Sequence, residues 1–217
     1  MLNMTYNYKN GVVRTKDRRW LAFPLLGIAV GGYLLLNSIW PAMPDFTGDP
    51  QATAKKLISL EPVLTEDRIY IPKVNADVAV VQIEGNEKLA LDRGAIQRSP
   101  ASGNPRDGGN FVVAAHRFNL GFTPAQTKSR SPFYRIDKLA VGDDIFVDFK
   151  GVRYAYKVEE KKLVEATEVE IEARTDNDRL TMYSCELAGP EAGREVIFAK
   201  PVGKVVWMAG TPKIQPL

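Results

Sequence analysis

The 217-residue chain contains one cysteine and one histidine. One thiol cannot close an internal disulfide, and one Cys with one His cannot supply the ligand set of a structural zinc site. No glycine-rich phosphate loop of the usual pattern occurs. There is no internal repeat and no low-complexity tract. Charge is absent from residues 20–40. The formal charge of +3 sits in the first nineteen residues, where Lys9, Arg14, Lys16, Arg18 and Arg19 against Asp17 give +4, leaving −1 beyond. The body of the chain is therefore not basic, and no nucleic-acid partner is expected.

The uncharged run is WLAFPLLGIAVGGYLLLNSIW, from Trp20 to Trp40. At about 1.5 Å per residue a helix of this length reaches roughly 30 Å, the thickness of a bilayer's hydrocarbon core. Trp20 and Trp40 suit the headgroup level, whereas Tyr33 lies deeper. Pro24 falls in the first turn, where its missing N–H costs little. A cleaved signal peptide is the rival reading. Its apolar region would be shorter, and Pro41-Ala42-Met43-Pro44 makes a poor cleavage site. The pattern predicts a single-pass anchor over 20–40, with the basic tail 1–19 in the cytoplasm and residues 41–217 outside.

Residues 41–66 are rich in Pro, Asp, Thr and Ala and read as a stalk with a short helix near 52–60. Residues 67–217 are enough for one domain with a full core. They read as short strands between turn signals: 69–71, 78–83, 111–115, 144–149, 152–158, 180–185, 196–199 and 205–208. Lys150-Gly151 between two alternating runs marks a hairpin. Helical segments are few, at 86–90 and 132–139. So many short strands predict a closed β-barrel or a sandwich.

Cys185 and His116 each close a strand-like run. A thiol beside an imidazole is a standard nucleophile, because a nearby base or cation favours the reactive thiolate. On these two residues alone, a buried structural cysteine with an unrelated histidine remains equally open.

Seven stretches then come in a recognisable order. They are Tyr70-Ile71-Pro72-Lys73, Gly94-Ala95-Ile96, Gly109 to Arg117 (GNFVVAAHR), Phe133 to Leu139 (FYRIDKL) with Val141-Gly142-Asp143, and Thr181-Met182-Tyr183-Ser184-Cys185 ahead of Arg194 to Ala199 (REVIFA). In this order the chain resembles the sortases, membrane-anchored cysteine transpeptidases, over about residues 67–208. The resemblance implies a mainly β fold, an eight-stranded closed barrel with few short helices, preceded by one transmembrane helix. It implies Cys185 as nucleophile, His116 as general acid and base, Arg194 as the group that supports thiolate and oxyanion and positions substrate, and Ser184 at a substrate-binding position. Ala115, Met182 and Ser184 stand where glycine, leucine and threonine are common in the family, which leaves the subclass open.

The implied reaction cleaves a Leu-Pro-x-Thr-Gly-like sorting signal on surface proteins through a thioacyl enzyme. The acyl group then passes to an amine on a cell-wall precursor or a pilin lysine. Glu165, Glu168, Glu170 and Glu172 resemble a calcium-binding variation of the family, but their loose spacing reads better as solvated acids, and neither metal nor cofactor is expected. Two alternatives stay open: another extracytoplasmic cysteine hydrolase, or a non-catalytic adhesion or assembly module tethered to the membrane.

Overall fold

In a computed structural model, the structure describes residues 4–6, 13–15, 21–43, 49–186, 189–208 and 211–217. Trp20 and the basic residues Lys9, Lys16, Arg18 and Arg19 lie outside the described residues. Within the tail, strands β1 (Met4–Tyr6) and β2 (Val13–Thr15) pair antiparallel, a pairing that no sequence signal announced.

Helix α1 (Ala22–Ile39) covers the uncharged run and ends in a 3-10 turn, Trp40–Ala42. Phe23, Leu25, Ile28 and Leu35 are exposed, so its apolar surface faces outward on most sides. A helix that is apolar all round and unburied suits lipid rather than water. Asn37 is the one buried side chain of α1.

After α1 comes helix α2 (Pro50–Ser59). Its Ala54 and Ile58 pack on Tyr70, Phe146 and Ala155, so the segment expected as a stalk carries a helix seated on the domain. Arg153 pins the residue just past the end of α2. Its guanidinium meets Asp148 through Nε–Oδ1 and Nη2–Oδ2 contacts of 2.6 Å, and its Nη1 donates to the Leu60 carbonyl at 2.9 Å. Arg153 and Asp148 are both almost wholly buried, so each charge depends on the other for solvation.

Eight strands form the body: β3 (Arg68–Ile71), β4 (Ala76–Val81), β5 (Ala95–Gln97), β7 (Gly108–Ala114), β8 (Asp144–Phe149), β9 (Val152–Val164), β10 (Arg179–Glu186) and β11 (Gly189–Met208). Their neighbour order is β10-β11-β9-β8-β3-β4-β5-β7, and a parallel β7–β10 pairing joins the two ends. The strands thus close into a ring of eight, as the resemblance implied. A closed ring leaves no unpaired edge among its members. Two further strands lie off the ring: β6 (Gly103–Asn104) on β7 and β12 (Thr211–Gln215) on β11.

Alternation along each strand sorts side chains to two faces. One face fills the ring with Ile69, Phe111, Val113, Ile145, Val147, Tyr154, Leu180, Met182 and Ile197. The other face of β5, β7, β10 and β11 carries Ile96, Val112, Ala114, Tyr183, Val196 and Phe198. This outer cluster is roofed by α3 (Glu87–Leu91), through Ala90, and by the 3-10 turn Glu170–Glu172, through Ile171.

The β8–β9 hairpin turns at Lys150-Gly151, with φ of 49° and 77°. Positive φ at both positions gives the strands their proper twist, and glycine adopts it at no steric cost. Three expectations are corrected. The runs 196–199 and 205–208 belong to the single strand β11, which passes Pro201 through an irregularity in its pairing with β9; a proline, lacking a donor, is tolerated there. The helix expected over 132–139 is a 3-10 turn, Ile136–Lys138. A helix not foreseen, α4 (Pro124–Ser129), fills part of the long loop after β7.

Candidate active site

Two neighbouring strands, and the segment that follows a third, carry the expected residues. Cys185 on β10 pairs across the ladder with Arg194 on β11. Directly opposed residues on antiparallel strands share a face, with Cβ atoms about 4.5–5.5 Å apart. On the other side of β10, Tyr183 pairs in parallel with Ala114 of β7, and the Ala115 amide donates to the Tyr183 carbonyl at 3.2 Å. His116 lies two residues beyond that pair, as Cys185 lies two beyond Tyr183. Cys185 and Arg194 therefore share the face roofed by α3, and His116, just past the end of β7, stands beside α3 through its approach to Asp92. Cys185 is exposed and Arg194 half-buried, so the pair stands open at the end of the outer apolar cluster.

Ser184 is not brought to that face. It is buried on the ring-interior face, and its Oγ has no hydrogen-bond partner among the described residues. Glu195, adjacent to Arg194, also faces away. Its carboxylate lies 3.7 Å from Lys161 Nζ and 4.0 Å from Arg117 Nη1. Arg117, itself buried, ties the loop after β7 through Asp137 at 3.0 Å and the Tyr134 carbonyl at 3.0 Å.

The surroundings of each group set its chemistry. The Arg194 guanidinium stacks 5.4 Å from the centre of the Tyr183 ring. The Tyr183 hydroxyl donates to Glu172, which also accepts from Ser99 Oγ at 2.8 Å and lies 3.3 Å from Arg98 Nε. Burial alone would raise the Glu172 pKa, but the Tyr183, Ser99 and Arg98 contacts outweigh it and hold the carboxyl below its usual range. Burial pushes the Tyr183 phenol up, and the neighbouring carboxylate pushes it further. Arg98 also meets Glu87 on α3 at 2.5 Å. One guanidinium therefore joins the α3 wall of the cleft to the 170–172 wall.

His116 Nε2 lies 3.4 Å from Asp92 Oδ1, outside full hydrogen-bond geometry. The Asp92 carboxylate is held by Arg130 Nη2 at 2.5 Å and Asn119 Nδ2 at 2.6 Å. Burial lowers the proton affinity of His116. Asp92 opposes this, while Arg130 and Lys88 reinforce it, and the net direction is down from 6.5. A neutral imidazole is thus the majority form near pH 7.

Sequence reasoning did not find Asp92, Arg130 or Tyr183, because their roles arise from contacts between distant segments. Glu172 was expected as a solvated acid and is instead a bonded, largely buried one. Its carboxylate is already committed, and among the described residues no group of three or more His, Cys, Asp or Glu side chains is placed to hold a metal ion.

The described residues thus hold one exposed thiol opposite a guanidinium, on a closed eight-stranded ring behind an apolar N-terminal helix. The family model of the sortase domain matches residues 69–202. The chain belongs to the sortase family, whose members are cysteine transpeptidases. Solved structures agree in fold. Sortase A of Listeria monocytogenes is 24% identical, with a TM-score of 0.54, covering 64% of this chain and 87% of that one. Sortase C of Streptococcus pneumoniae is 20% identical, with a TM-score of 0.53 and coverage of 69% and 68%. Sortase C1 of GBS pilus island 1 is 21% identical, with a TM-score of 0.54 and coverage of 86% and 85%. A comparison with curated proteins gives no match.

Proposed function

We propose that this sortase cleaves a Leu-Pro-x-Thr-Gly-like sorting signal at the Thr–Gly bond and transfers the threonyl acyl group to an amine. The observation that carries the reading is the exposed Cys185 of β10 opposite Arg194 of β11, with His116 just past the end of the neighbouring β7. The Cys185 thiolate attacks the threonine carbonyl carbon. Arg194 donates to the oxyanion, where a preformed cation is worth most. His116, neutral at rest, takes the proton that the Cys185 thiol gives up and passes it to the departing glycine amine, leaving a thioester and a neutral imidazole. An incoming amine attacks the thioester, His116 takes up the proton it loses, and the thiolate leaves. Charge and protons balance over the cycle.

The acceptor in this reading is an amine of a cell-wall precursor or a pilin lysine. The domain works outside the cytoplasm, held to the cell membrane by α1 with the N-terminus inside, and no cofactor takes part. Two of the similar structures are sortases C, one described for its pilin substrate specificity and the other belonging to a pilus island, which supports the pilin side of this choice.

The test incubates the full-length chain in detergent with a sorting-signal peptide library and a short amine. Mass spectrometry should find the peptide–amine conjugate, and Cys185→Ala should abolish it without loss of folding. Free acid in place of conjugate would mean a cysteine hydrolase. No product and no thiol reactivity above that of free cysteine would mean a tethering module.

A further inference from the structure

The outer end of α1 is not free of the domain. Asn37 Nδ2 donates to the Gly121 carbonyl at 2.7 Å, and Thr127 Oγ1 donates to Asn37 Oδ1 at 2.5 Å. Thr127 Oγ1 in turn accepts from the Gly121 amide at 2.9 Å. Asn37 and Thr127 are fully buried. Four residues earlier on the helix, the Tyr33 hydroxyl donates to the Phe122 carbonyl. The polar groups on this face of an apolar helix thus meet protein partners instead of water, which is what hydrocarbon demands of a spanning segment.

These bonds fix the height of the loop after His116. Asn37 and Tyr33 precede Trp40 by three and seven residues, about 5 and 10 Å inward at 1.5 Å per residue, so the Gly121 and Phe122 carbonyls they hold lie inside the end of the apolar span. At that height the loop leaves Phe122 86% and Leu120 46% exposed. The loop is not a loose tip. Phe122 N donates to Gln126 Oε1 at 2.7 Å, and a Cβ on Gly121 would stand 2.8 Å from Gln126 and Thr127. Two large apolar side chains are therefore presented by a rigid turn, level with the interior of the span.

Where the span ends, the character of the surface changes. Trp40 and Pro41 border a cavity of about 600 Å³ whose wall includes Arg93, Lys128 and Arg135. Cations beside a tryptophan at the end of an apolar helix complement the phosphates of a bilayer surface. Apolar side chains below and cations above follow the polarity of one lipid leaflet.

The geometry points to a second membrane contact: the turn at 120–122 seats Leu120 and Phe122 in the outer leaflet of the bilayer that α1 crosses, with Arg93 and Arg135 over the headgroups. This rests on α1 as a membrane span. It holds His116, four residues before Leu120, at the membrane surface, so the site addresses substrates that are themselves close to lipid.

Site-directed spin labelling of the full chain in phosphatidylglycerol-containing bilayers tests the contact. Cys185→Ser leaves each introduced cysteine alone. Labels go at Leu120→Cys and Phe122→Cys, with Ile28→Cys reporting the span and Val169→Cys an exposed position on the far cleft wall. Oxygen should relax the labels at 120 and 122 more than a water-soluble nickel chelate does, as at 28, and the order should reverse at 169. Lipid-like accessibility at 28 with water-like accessibility at 120 and 122 overturns the second contact alone. Water-like accessibility at 28 overturns the anchor beneath it.

Discussion

Arg194→Lys separates charge from shape at the candidate site. The substitution keeps one positive charge opposite Cys185 in the β10–β11 register. It removes the planar fork, and with it the stack on Tyr183 that fixes where the fork points. If Arg194 supplies a directed donor to the oxyanion, the loss should match that of one oxyanion-hole group, about 10²–10³-fold in rate. The lower bound corresponds to about 2.7 kcal/mol of transition-state stabilisation at 1.36 kcal/mol per decade. Loss of the stack of the half-buried guanidinium on the buried Tyr183 ring costs about 0.5–1 kcal/mol of local order and little global stability. The assay is kcat/KM for conjugate formation by mass spectrometry, with thermal unfolding as the control. A rate within about threefold of the parent, well short of one oxyanion donor, would refute the directed-donor role and leave Arg194 only a source of field.

His116→Ala should lower the same rate by at least about 10²-fold, the usual worth of a positioned acid and base, with an unchanged far-UV spectrum. Because the chain has one histidine, its NMR titration is unambiguous, and its midpoint should lie below 6.5. The native state then binds this proton less readily than the unfolded chain, so the site's contribution to stability is complete above pH 6.5 and is lost as pH falls through the lower native midpoint. Asp92→Asn removes the carboxylate that opposes burial, so the His116 midpoint read by NMR should fall further; an upward shift would contradict the account. Asp148→Asn strands the buried Arg153 charge and should cost about 3–5 kcal/mol, seen as a fall in Tm of roughly 10 °C.

The parts of this molecule that were legible in the sequence are those whose cause is local. The Lys150-Gly151 turn, the alternation of β8 and the uncharged run of α1 each arise from a few adjacent residues. Asn86 caps α3 by accepting from the Leu89 amide at 3.2 Å, a signal also present in the sequence. Thr123-Pro124 carried the same kind of signal for α4, with Thr123 accepting from the Gln126 amide, but a six-residue helix has too little periodicity to stand out. Strand β5 is three residues long and buried throughout, so it shows no alternation. Pro201 reads as a break until β9 is seen to absorb it in an irregular pairing. Cys185 and His116 stood out because each closes a strand-like run, whereas Arg194 came only with the resemblance. The Asp92–Arg130 support and the Arg98 bridge were not, since their partners meet only after the chain folds over distances of 38 to 74 residues.

The parallel β7–β10 pairing is the seam at which the ring closes, and its partners Asn110 and Arg179 are 69 residues apart in the chain. Such a contact is among the non-local pairings that carry the loop-closure entropy of folding. His116 stands at one lip of that seam and Cys185 at the other. On the proposed function, which needs the thiol and the imidazole together, the reactive pair exists only in a chain whose seam is closed, so closing the ring and arming the thiol are one event.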